Sequence, residues 1–230
     1  MRAMILGRVR TDEHAGEIMK PPTAPYRLQR QRWPQSGQHI LAHFDADSIV
    51  VYQAYRPAIG RYADAHQRFG GEFSFARMSW IKTNFLWMMY RSGWGAKPDQ
   101  EVTLAIRIRR AGFDQLLREA VHSSFVADIY GDQAAWADAV ARSSVRLQWD
   151  PDHDPSGAKQ ERRTIQLGVR GEALERYAQQ WLIAIDDISA FVAEQRQYAQ
   201  SPATYAQLQT PSEGVYPIDD ADNARLGRAG

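Results

Sequence analysis

The sequence contains no cysteine. That removes disulfides, thiolate metal sites and a cysteine nucleophile together, and it fits a reducing, cytoplasmic setting. No apolar run approaches the roughly 20 residues that span a bilayer. Arg2, Arg8 and Arg10 near the start are not followed by an apolar stretch of the signal-peptide kind, so neither secretion nor membrane association is expected. Charge of one sign is missing too: 28 Lys and Arg against 27 Asp and Glu leave a net charge of +1. With no global field to attract nucleic acid or anionic lipid, such binding needs a local patch. There is no Walker-type phosphate loop, no G-x-G-x-x-G after a strand, no G-x-S-x-G and no H-E-x-x-H. The six histidines have no paired spacing, and no metal site is expected.

What remains is a chain of 230 residues, 44% hydrophobic and 11% aromatic, large enough to bury a substantial core. Residues 1–38 are rich in Arg, Gln and Pro and read as a loosely structured lead-in. Residues 39–200 read as one domain of interspersed strands and helices. "IVVYQAY" is a β-branched and aromatic strand, Pro57 opens a helix, and "FSFARMSWI" alternates like a strand. "TNFLWMMYRS" is a short helix capped by Thr83 or Asn84 and stopped near Gly93. "VTLAIRIR", "VRLQW" and "RRTIQLGV" are further strands, with amphipathic helices at 111–124 and 132–142. "GEALERYAQQWLIAIDDISAFVAEQRQYA" reads as one long helix or two short ones. Residues 201–230 read as a mobile or surface-wrapping tail. Half-exposed alternation points to an α+β fold with a mixed or mainly antiparallel sheet flanked by helices.

Four groups of residues carry chemistry. Gln53 lies on a strand among apolar neighbours, where an amide needs partners; Tyr55 and Arg56 follow it. The stretch from Phe73 to Trp94 packs three tryptophans, three phenylalanines and Tyr90 together with Arg77, Lys82 and Arg91. Lys82, just ahead of a helix N-terminus, makes an anion site, and Trp87, Tyr90 and Arg91 share a helix face. Packing accounts for Phe85, Leu86, Met88 and Met89 but poorly for Lys82, Arg91 and Ser92. Cations among ring faces suit a base, a nicotinamide or a phosphate. Gln148 and Asp150 lie two apart on one strand face, so an amide and a carboxylate stand side by side, while Asp152 and Asp154 read as a solvated acidic turn. Arg163 and Gln166 reach one pocket or form a solvated strand end.

"IVVYQAY", "FSFARMSWIKTNFLWMMYRSGWG", "LAIRI" and "VRLQWDPDHD…RTIQLGVRGEAL" together resemble the domain-of-unknown-function family 4291, from about His39 to about Val192. The chain is also distantly similar to ADP-ribosyltransferases. That second resemblance implies a split-sheet cleft for NAD, with a polar first-strand residue, a Ser or aromatic group on the second, and a late-strand acid. Gln53, Ser74 with Tyr90, and Asp150 stand in that order, although the usual residues are Arg or His first and Glu last.

The expected function is a nucleotide-binding enzyme, an ADP-ribosyltransferase-like transferase using NAD as substrate and an acceptor of nucleic-acid or protein type. Asp150, Gln148 and Gln53 would be its catalytic group. Tyr55, Arg56, Ser74, Arg77, Lys82, Trp87, Tyr90, Arg91, Ser92, Arg163 and Gln166 would bind the ligand. The alternative is an RNA- or nucleotide-binding module using the same aromatic and cationic surface without transfer.

Overall fold

A computed structural model describes residues 21–228. Its centre is one eight-stranded sheet. In chain order its strands are β1 (Gln38–His39), β2 (Ser48–Tyr55), β3 (Ser79–Lys82), β4 (Val102–Arg109), β5 (Ala120–His122), β6 (Val145–His153), β7 (Lys159–Val169) and β8 (Leu182–Asp187). They lie in the order β8-β4-β2-β3-β7-β6-β5, with β1 also paired to β7. The β1–β7 and β5–β6 pairs are parallel and the rest antiparallel, so the fold is α+β around a mostly antiparallel sheet.

Alternation along β2 explains the two cores. Ile49 and Val51 face one side with Leu104, Ile106 and Leu167. Helices α2 (Pro57–His66) and α4 (Arg110–Glu119) cover this side with Ala63, Phe113 and Leu116. Val50 and Tyr52 face the other side, under α1 (Tyr26–Arg30), α3 (Phe85–Ser92) and the helix Ser189–Ala199. Both sides of β2 are therefore buried, as its β-branched and aromatic run suggests; helices on both faces leave Val50, Val51 and Tyr52 at most 1% exposed. No helix among the described residues is long and apolar enough to cross a membrane.

Several local expectations change. Residues 21–38 are packed rather than loose: Thr23–Pro25 pairs with Gln209–Pro211, and Tyr26 and Trp33 are buried. Residues 1–20 of that expected lead-in lie outside the described residues. Only the last three residues of "FSFARMSWI" belong to a strand, Ser79–Lys82; Phe73 instead joins a ring cluster with Phe69, Phe75 and Tyr55. The stretch after Gly171 divides into the helical segments Gly171–Glu175 and Arg176–Gln180, the strand β8 and the helix Ser189–Ala199; within β8, Ile185 faces the core while Ile183 faces solvent. Residues 120–122, expected as helix, pair with β6. The C-terminal segment wraps the domain: Gly214–Val215 pairs with Leu41–Ala42, and Tyr216 and Leu226 are buried.

Candidate functional site

Strands β2 and β3 share a single paired position, Tyr52 with Lys82. Beyond it they part, and the sheet splits. Gln53 bridges the gap: its amide N–H groups donate to Ser79 Oγ and to the Trp80 carbonyl, both at 2.9 Å. Its own carbonyl accepts from Tyr177 Oη at 2.8 Å, so the buried amide is fully engaged. Tyr55 Oη lies 3.1 Å from Ser79 Oγ, and burial pushes the Tyr55 phenol above its usual range.

The split opens into a cleft of about 590 Å³, within the size range of small-molecule sites. Among its walls are Gln53, Tyr55, Arg56, Ser74, Arg77, Lys82, Trp87, Arg91 and Gln166. Glu72, Ser79, Trp80 and Asp99 line it as well. Arg56 pairs with Glu72 at 2.5 Å, and Arg91 donates to Gln100 Oε1 at 2.9 Å. Arg77 is exposed and has no hydrogen bond or ion pair among the described residues. With Arg56 and Lys82 each paired to a carboxylate, Arg77 and Arg91 stand against Asp99 alone, and the cleft has one positive charge in excess.

Lys82 forms the inner wall. It is 1% exposed, and its ammonium donates to Asp150 Oδ2 and to the Thr164 carbonyl, both at 3.2 Å. The same ammonium sits 4.1 Å from the centroid of Trp87, a favourable cation–ring geometry. Burial outweighs the attraction of Asp150 and draws the amine down to about 8. Lys82, Gln166 and Gln148 form one cross-strand row, and Asp150 follows two positions on from Gln148 on that face.

The helix N-terminus beside Lys82 is capped from within. Asn84 Oδ1 accepts the Trp87 N–H at 2.8 Å. The Glu213 carboxylate takes the Phe85 N–H at 2.6 Å and an Asn84 amide N–H at 3.2 Å. The expected anion site at this N-terminus is thus filled by the protein's own carboxyl group. Burial holds Glu213 well above the usual carboxylate range.

Other expected residues separate from the cleft. Gln148, Asp150 and Arg163 border a second depression of about 440 Å³. Arg163 and Gln166 face opposite sides of β7, and Arg163 Nε donates to the Trp149 carbonyl at 3.1 Å. Ser92 is fully buried; its hydroxyl donates to the Met88 carbonyl and accepts the Gly95 N–H, which closes the end of α3 instead of meeting a ligand. Tyr90 is 43% exposed and stacks on His153 with ring centroids 3.6 Å apart, outside the cleft lining. The acidic turn is not solvated at Asp152, which is fully buried and paired with Arg162 at 2.6 Å.

Three contributors lay outside the sequence-based expectation. Glu213 sits in the segment read as a tail, and no local pattern marks it. Tyr177 reaches Gln53 across 124 residues. Glu72 carried the one available signal, its position just before the aromatic stretch.

An open, mostly antiparallel sheet, split over a cationic, ring-lined cleft, defines an α+β protein. The chain belongs to the family described as Domain of unknown function (DUF4291), whose pattern matches residues 39–216. None of the curated proteins compared matches the chain.

Proposed function

We propose that the cleft binds a nucleotide-like ligand, most concretely NAD, and that the protein transfers its ADP-ribose to an acceptor. The observation that carries this reading is the convergence of Gln53, Tyr55, Ser74, Arg77, Lys82 and Trp87 on one cavity at the split. Arg77 and Arg91 supply forked donors for a pyrophosphate, and Tyr55 and Trp87 supply ring faces. Loss of nicotinamide builds positive charge on the ribose, which a carboxylate stabilises. Asp150, one contact behind the lining, is the group this reading assigns to that role. Incubation with NAD should release nicotinamide, and calorimetry should detect NAD binding that Arg77→Ala weakens about tenfold or more. Absence of both binding and release ends the proposal.

One observation favours a second reading. The Lys82 ammonium at 3.2 Å offsets much of the Asp150 charge that would stabilise a cation. A module that binds nucleotide or RNA without transfer needs no such carboxylate. Salt-sensitive binding of single-stranded RNA, unchanged in Asp150→Asn and without nicotinamide release, would select this alternative.

A further inference from the structure

The Lys82–Asp150 pair sits oddly with Asp150 as the acting group. Lys82 is the member that lines the cleft, while Asp150 borders the second depression. A lysine has three N–H donors, and two of these are held by Asp150 Oδ2 and the Thr164 carbonyl. The amine head is held by these two acceptors and by the Trp87 ring, which leaves one of its three hydrogen positions without a protein partner among the described residues.

We propose that Lys82 is the proton acceptor of the reaction in the cleft and that Asp150 acts through it as a positioning residue. This rests on the reading of the cleft as a site of ADP-ribosyl transfer. The acceptor's hydroxyl or amine forms its bond to the anomeric ribose carbon as the bond from that carbon to nicotinamide breaks. The electron pair of the broken bond leaves with the pyridine nitrogen. The acceptor's proton passes to the Lys82 amine, and the resulting ammonium is held by Asp150 until it returns the proton to water.

The charged groups facing Lys82 set the direction of each test. Asp150 and Asp152 favour its ammonium form, burial opposes that form, and burial also lowers the neighbouring His153 below the usual imidazole range. With the amine at about 8, roughly a tenth of it is free at pH 7 and most of it at pH 9. Lysine keeps this option, whereas arginine cannot lose its proton.

The experiment follows nicotinamide release from NAD between pH 6 and 10 with water as the attacking hydroxyl, and NAD binding is measured separately by calorimetry. The rate should rise to a plateau with a midpoint near that of the Lys82 amine. Lys82→Arg should bind NAD within about threefold of the parent and lose turnover by about a hundredfold or more. Asp150→Asn removes the anion that favours the ammonium, so in an NMR titration it should move the Lys82 midpoint down by about one unit, whatever its turnover. A nitrogen NMR titration of the lysine amines reads Lys82 without reference to activity, even if Lys82→Arg does not fold. A Lys82 midpoint above 10, an Arg variant as active as its parent, or a Lys82 midpoint that does not fall in Asp150→Asn would each overturn the assignment. Failure of NAD to bind at all instead overturns the reading of the cleft, and this assignment with it.

Discussion

Glu213→Ala is the most informative test of how the cleft is held together. The Glu213 carboxylate accepts from the Phe85 N–H and from Asn84, both inside the domain. Truncation leaves those two donors buried and unpaired, at about 1–3 kcal/mol each, so the loss of stability should be on the order of 3 kcal/mol. Glu213→Gln keeps one acceptor oxygen but turns an N–H group toward Asn84, and should cost about 1 kcal/mol. The two variants also differ in their response to pH. Because the folded protein holds Glu213 well above the usual carboxylate range, its contribution is fully present below the unfolded value, near pH 4.5. That contribution is then lost as pH rises through the higher folded value. Urea unfolding at pH 5 and pH 8 should therefore show the parent losing stability relative to Glu213→Gln at the higher pH. A parent-to-Gln difference that does not change with pH, or an alanine variant within about 0.5 kcal/mol of the parent, would refute the buried-carboxyl argument.

Arg77→Ala should leave urea unfolding within about 0.5 kcal/mol of the parent, since the side chain is exposed and unpaired, while weakening NAD binding. Arg162→Met strands the buried Asp152 carboxylate and should cost about 3–5 kcal/mol, with Asp152→Asn in the same chain recovering part of that loss in a double-mutant cycle. Gly60→Ala places a Cβ into the Val102 side chain and should cost about 1–3 kcal/mol, read as a fall in melting temperature. Gln53→Leu leaves the Tyr177 hydroxyl and the Trp80 carbonyl without their bridge, and should cost about 2 kcal/mol and lower the affinity of the cleft.

Local chemistry made part of this molecule readable in advance. The β-branched run before Gln53 forms β2, and Asn84 and Gly93 bound α3 by capping and by a left-handed turn. Gln53, Tyr55, Lys82, Trp87 and Gln166 meet in one cleft because strand alternation and strand order place them there. What escaped depends on distant partners. Asp152 reads as solvated until Arg162, ten residues on, neutralises it inside the core. The strand β8 hides in a run whose composition suits helix equally well, and only its pairing with β4 decides the matter. Phe73 and Phe75 alternate like strand residues, yet they are a loop anchored by ring contacts.

The clasp between the two ends of the chain has a consequence for biosynthesis. Asn84 and Glu213 are 129 residues apart, and Gln29 reaches the Glu213 backbone across 184. While the protein is being made, α3 can be synthesised, but its capping carboxyl does not yet exist. The cleft wall that carries Lys82 and Trp87 is therefore completed only after residue 213 has left the ribosome. Until then, the Phe85 N–H and the Asn84 amide at the start of α3 lack their carboxyl partner, and that end of the helix depends on late, long-range closure.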